Sequence, residues 1–182
     1  MPLNTIGEVV NCELEGRVKD YIWRKTPSQT TITGLWFDLS MSPGMPPPQY
    51  YIGGILTATQ LKQSTDGGFY YGTNVSPSER YLRKITTQAN VTTALPMNAI
   101  LCDYLLFYPF IDEGTTDQQD MININTLPRY TDGKGVQVMC VQTNAGTGGQ
   151  SFFFTYTNSD GVSGRTSRTV TMNTSTTVGN IV

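Results

Sequence analysis

Apolar residues open the chain at every fourth position, Ile6, Val10, Leu14, Val18 and Ile22, and Thr5-Ile6-Gly7-Glu8 in front of them has capping-box spacing. The pattern predicts an amphipathic helix from Thr5 to about Trp23, weakened by Gly7 and Gly16, whose apolar stripe needs a partner surface. Thr26-Pro27-Ser28 ends that segment, and the period then changes to two. Leu35, Phe37 and Leu39 alternate with Trp36 and Asp38, as a half-buried strand does. Residues 42–49 carry Pro43, Pro46, Pro47 and Pro48, which cannot enter a sheet interior and predict an extended, polyproline-like connector or contact arm. Strand character resumes at Tyr50, Tyr51 and Ile52, and a turn at 65–68 leads to another short strand at Phe69, Tyr70 and Tyr71.

Ser76-Pro77-Ser78-Glu79 joins a capping hydroxyl, a proline at the first helical position and a returning carboxylate, and predicts a helix from Pro77 to about Ala89. Residues 99–107 are apolar on both faces except at Asp103, which reads as a central strand leaving its ladder at Pro109. An acidic polar loop follows at 112–120. A turn at 131–135 leads into an alternating strand at 136–141. Phe152, Phe154 and Tyr156 then alternate with Phe153 and Thr155, residues 158–161 turn the chain, and 169–172 return it. Short strands punctuated this regularly predict a mainly β fold, a β-sandwich or jelly-roll-like domain with one or two short helices. Residues 1–30 are then a capped helical docking segment and 31–182 the β-rich domain. No internal repeat is present, and the unfinished character of 178–182 predicts that the natural protein continues.

Composition changes the picture in one respect. Charged residues make up 14% of the 182 positions, against roughly 25% in an average globular protein. The polarity comes mostly from Thr, Ser, Asn and Gln. Such a surface suits burial against other proteins, where Lys and Glu are depleted and aromatics retained, and it equally suits an ordinary β protein rich in strand formers. A net charge of −2 and a pI near 5.0 leave no electrostatic footprint for nucleic acid or an anionic membrane. Arg80, Arg83 and Lys84 form the tightest basic group and read as the solvated face of the second helix. Cys12, Cys102 and Cys140 specify neither a disulfide framework nor a zinc site and are expected to be reduced. The chain opens without signal-peptide character and holds no run of membrane-spanning length, so synthesis in a cytoplasm is expected.

Candidate chemistry is narrowed by the absence of histidine. Ser-His-Asp and Cys-His arrangements are impossible, as are the His-bearing zinc and iron sites. The glycine-rich 144–149 stretch lacks the Lys-Ser/Thr ending of a phosphate loop and reads as a hairpin tip. Asp103 would serve as an acid if burial raised its pKa, or else sits in a hydrogen-bond network or faces an interface. Asp112, Glu113, Asp117 and Asp120 are hard oxygen ligands in one loop, although their spacing departs from the helix-loop-helix calcium pattern. Tyr50, Tyr51, Tyr70 and Tyr71 would line a carbohydrate or peptide groove, or pack in a core or interface. No enzyme activity, cofactor or metal is expected. The candidate interface comprises Ile6, Val10, Leu14, Trp23, Pro46, Pro47, Pro48, Tyr50 and Tyr51.

Three segments, LCDYLLFYPFID at 101–112, LPRYTDGKGV at 127–136 and YTNSDGVSGRTS at 156–167, resemble stretches of tailed-bacteriophage virion structural proteins. They are turn and strand signatures, so the resemblance implies a particle component and no catalytic residues. The long spine helix and large arm of a tailed-phage major capsid protein are lacking. The resemblance therefore implies a capsid decoration or cement protein, with a tail, baseplate or receptor-binding component as the alternative and a carbohydrate- or peptide-binding β domain as a third. Expected partners are other virion proteins, the major capsid protein foremost, and further copies of the chain, with a trimer favoured. The expected location is the virion.

Overall fold

The computed structural model describes residues 4–27, 30, 33–62, 67–70, 72, 76, 80–91, 97–146, 148–174 and 177–182. The chain divides into two compact units, Met1–Trp23 with Phe69–Leu101, and Arg24–Gly68 with Cys102–Val182. Among the described residues the regular structure is mainly strand, with one α-helix.

In the first unit, α1 spans Ile6–Leu14. The expected capping box forms: the Thr5 hydroxyl accepts from the Glu8 N–H at 3.3 Å, and the Glu8 carboxylate accepts from the Thr5 and Asn4 N–H groups at 2.9 and 2.7 Å. At the other end Gly16 adopts φ 65°, and the chain closes on itself. The Arg17 N–H reaches the Cys12 carbonyl at 2.8 Å and the Gly16 N–H reaches that of Glu13 at 3.1 Å, a Schellman closure. The helix therefore stops at Leu14 and not near Trp23, leaving Val18 and Ile22 outside it. Trp23 instead lays its ring on Phe69, 4.6 Å between centroids.

The capping signal of the expected second helix falls at 77–79, outside the described residues, but 80–89 are not helical. Tyr81, Thr86 and Thr87 are weak helix formers, and the exposed Leu82 and Ile85 supply no packed face to hold a turn. Phe69 and Tyr70 form no ladder; Tyr71 and the first half of the 65–68 turn lie outside the described residues. No described residue of this unit is buried.

The second unit is a set of short antiparallel pairs. β1 (Arg24–Lys25) pairs with β3 (Gly44–Met45), β2 (Trp36–Phe37) with β10 (Asn180–Ile181), and β4 (Thr59–Gln60) with β5 (Leu106–Phe107). β6 (Ser151–Phe152) pairs with β9 (Val170–Thr171), and β7 (Thr155–Tyr156) with β8 (Arg165–Thr166). These last four are one ribbon, closed at its tip by the expected turn, where the Gly161 N–H meets the Asn158 carbonyl at 3.0 Å. The register steps from Phe152↔Val170 to Thr155↔Thr166, so three residues oppose two and the ribbon carries a bulge. Phe152 and Phe154 pack edge to face at 5.5 Å while Phe153 is exposed, as the alternation predicts, but Tyr156, expected on the same face as Phe152 and Phe154, is exposed as well.

Elsewhere the strands are shorter than the pattern predicts. The strand expected at 99–107 is reduced to Leu106–Phe107, because Ile100 and Leu101 are exposed and the Asp103 carboxylate is drawn out to Arg129. The one expected at 136–141 is reduced to a bridge between Val141 and Ile181, with Val138 74% exposed. The turn before it does form, through the Gly133 N–H and the Tyr130 carbonyl at 2.8 Å. β10 lies between β2 and residues 140–142, where the Gln142 N–H donates to Asn180 at 2.8 Å and the Val182 N–H to Cys140 at 3.0 Å. The strand expected over 35–39 ends at Phe37. Asp38 is buried there, not solvent-facing, and its carboxylate caps a 3-10 turn at Leu39–Met41 by accepting from the Ser40 N–H at 2.8 Å. Among the described residues the small apolar core comprises Met41, Tyr51, Ala58 and Leu105, with Tyr51 edge-on to Phe107 at 5.1 Å.

Candidate functional site

The sequence-predicted interface residues divide between the two units. In the first, Ile6, Val10 and Leu14 form a continuous outward stripe on α1, 84%, 47% and 80% exposed. Trp23 is half-buried against Phe69. In the second, Tyr50 is exposed but Tyr51 is buried, so the two tyrosines do not line one groove. Pro47 is exposed, and Pro46 and Pro48 are half-buried.

The proline-rich loop is not the extended arm that its composition predicts. It folds back on β1, where Gly44 pairs with Lys25, and it wraps the Lys25 ammonium. The Lys25 Nζ donates to the carbonyls of Pro46 at 2.7 Å, Ser42 at 3.1 Å, Ser40 at 3.3 Å and Pro47 at 3.4 Å. The loop lacks N–H groups at its prolines, so its carbonyls need an outside donor, and a lysine with three N–H groups supplies it.

Beside this cage lies a buried polar cluster centred on Asp38. The Tyr51 hydroxyl donates to Asp38 Oδ2 at 2.5 Å and lies 3.1 Å from the Ser40 hydroxyl. Tyr104 is half-buried and its phenol feels the charge of the same carboxylate. Burial first, and the neighbouring carboxylate second, push both phenols far above the ordinary tyrosine value. Burial lowers the Lys25 ammonium pKa, and the charge of Asp38 opposes that shift. The Asp38 carboxylate is engaged by the Tyr51 hydroxyl and the Ser40 N–H. The cluster joins 38–40, Tyr51 and Tyr104 across the second unit as a structural keystone. Alternation had placed Asp38 on a solvent face and Lys25 in no motif; the proline-rich loop, with many carbonyls and few donors, was the available signal.

Three of the carboxylates considered for chemistry are engaged within the chain. Asp103 is exposed and held in a two-pronged ion pair by Arg129, at 2.6 and 2.9 Å, so it is not a desolvated acid inside a strand. In the acidic loop, Asp112 accepts from the Gly114 N–H at 2.8 Å and Asp120 from the Gln118 amide at 2.6 Å. Among the described residues no three acidic or cysteine side chains converge on a point that would hold a metal ion. The cysteines are unbridged, and Cys102 is exposed although its sequence context predicts burial. Among the described residues no helix is long and apolar enough to cross a membrane. Compared with protein-family models, curated proteins and solved structures, the chain matches none.

Proposed function

We propose that this chain is a structural protein of a tailed-bacteriophage particle, acting as a capsid decoration or cement protein that stabilises the shell through multivalent, non-covalent contacts. The observation that carries the reading is exposure. Among the described residues large apolar side chains stand in water in both units, Ile6, Leu14, Ile52, Ile55, Ile100, Ile124 and Val138 each more than two thirds exposed, and charge is scarce. A surface of this kind is stable when other protein covers it.

On this reading the short ladders are parts of a β-sandwich or jelly-roll-like domain completed against neighbouring subunits. The partners are the major capsid protein and further copies of the chain, with a trimer favoured, in a virion made in a bacterial cytoplasm. The role is mechanical and not enzymatic: binding the assembled shell better than its dissociated form stabilises it by mass action, and several modest contacts made together add avidity. The three segments that resemble phage virion proteins and the lack of histidine support the same assignment.

The test compares phage heads with and without the protein for rupture by heat or osmotic shock, and images where the protein sits. Heads that rupture earlier without it are the expected result. Density confined to tails, or heads equally robust without it, would replace the cement role with a tail role or remove the virion reading altogether.

A further inference from the structure

We propose that residues 40–47 form a receptor for a compact monovalent cation, and that the Lys25 ammonium is its tethered occupant. The Lys25 Nζ lies where four backbone carbonyls converge, those of Ser40, Ser42, Pro46 and Pro47, at 2.7 to 3.4 Å. An ammonium carries three N–H groups, so the oxygens outnumber the bonds it can direct at them. Such an arrangement holds a sphere of charge, as rings of carbonyls do when they replace the hydration shell of potassium. In this geometry the oxygens stand too far out for divalent ions, since calcium takes its ligands at about 2.3–2.6 Å and magnesium at about 2.0–2.1 Å. The charge fits one monovalent cation as well. The carbonyls are neutral, and the buried Asp38 lies close enough for its single charge to favour the ammonium.

The loop keeps its cage without help from the lysine side chain. Pro43, Pro46 and Pro47 lack N–H groups, so the chain around the carbonyls brings few donors of its own to quench them. Its frame is fastened elsewhere. Gly44 pairs with Lys25 through the backbones of β3 and β1, the Thr26 N–H reaches the Pro43 carbonyl at 2.9 Å, and the Gln49 N–H reaches that of Ser40 at 3.0 Å. These bonds do not involve the Lys25 side chain. Pro47 is exposed, which gives an ion from solution a way in. Shortening or neutralising Lys25 therefore turns an internal contact into a site filled from solution, and the order of the loop comes to depend on which cation is present. The site stands whether or not the chain belongs to a virion.

The experiment follows limited proteolysis within 42–49 on the full-length wild type, Lys25→Ala and Lys25→Met, in ammonium, potassium, lithium and tetramethylammonium chloride at equal ionic strength. Circular dichroism reports the fold in each salt. Every rate is taken relative to the wild type in the same salt, which removes effects of the salt on the protease. Alanine empties the cage, whereas methionine fills it with an uncharged stem. In lithium or tetramethylammonium chloride Lys25→Ala should be cleaved about tenfold faster than the wild type, and ammonium or potassium should saturably restore most of that protection. Lys25→Met should be cleaved fast in all four salts. A Lys25→Ala chain cleaved at one rate in every salt, protected equally by tetramethylammonium, cleaved no faster than the wild type, or unfolded in ammonium and potassium too would overturn the proposal. Equal rescue of Lys25→Met by ammonium or potassium would overturn it as well.

Discussion

Tyr51 sits where three demands meet: it fills the core beside Phe107, it donates to the Asp38 carboxylate, and its backbone is held at φ 50°, a left-handed conformation costly for an aromatic residue. Packing and the charged hydrogen bond hold it there. Tyr51→Phe keeps the ring and removes the donor, so it should destabilise the second unit by about 1.5–3 kcal/mol at neutral pH, the cost of a hydrogen bond to a charged group; urea titration checks this. The phenols also set an alkaline limit. Their folded pKa values lie above the ordinary 10.0, and burial pushes Cys140 up to about 11 from 9.0. Groups raised in the folded state contribute fully below their unfolded values, and the unfolded chain sheds protons first as pH rises. Stability should therefore hold up to pH 9.0 and fall progressively above it, first through Cys140 and then through the two tyrosines. The urea midpoint followed from pH 8 to 11, with tyrosinate absorbance, measures this, and Tyr51→Phe should flatten the upper part of the fall. The same shift cuts the thiolate fraction of Cys140 near neutrality by about a hundredfold, so a thiol reagent should modify the exposed Cys102 first and Cys140 last; equal rates would show that Cys140 is not shielded.

At the scale of elements, the short turns and caps were legible because each is specified by a few adjacent residues. The capping box at Thr5 and Glu8, the turn at 131–135 and the hairpin tip at 158–161 all form as their local chemistry dictates. Longer elements were misread because apolar spacing records which faces suit burial and not which faces the chain itself covers. Val18 and Ile22 continue the spacing of Ile6, Val10 and Leu14, yet Gly16 had already closed the helix. The Asp38 cluster and the Lys25 cage were not legible, since they join residues far apart in sequence through carbonyls that no side-chain motif announces. The proline-rich loop gives the sharpest test at this scale. Gly44 takes φ 143°, and a Cβ there would collide with the Arg24 carbonyl, so Gly44→Ala should separate β1 from β3 at a cost of about 1–3 kcal/mol. Lys25→Met keeps the stem and removes the donors, and should cost about 1–2 kcal/mol as the loop carbonyls turn to water. Limited proteolysis should cleave both variants within 42–49 faster than the wild type; unchanged cleavage would mean that the cage does not hold the loop.

For the whole molecule, the decisive observation is how many large apolar side chains the described residues leave in water, Ile52, Ile55, Ile124 and Val138 among them. Unfolding such a chain releases less surface than the roughly 20,000 Å² that a compact domain of this mass releases, and the urea m-value, which scales with that surface, should fall short of the compact-domain value at high dilution. On the proposed multivalent role, copies that cover one another's exposed apolar side chains bind the folded state and not the unfolded one, so the unfolding midpoint should climb with protein concentration and the apparent m-value should rise towards the value for a compact domain. The two trends must appear together, because the same uncovered surface drives both. Urea titrations at several concentrations, read by tryptophan fluorescence and circular dichroism, make the comparison. A concentration-independent midpoint with a full-size m-value would mean that the single chain already buries a complete core, and the exposed side chains of α1 and of residues 81–89 would then have no assembly to account for them.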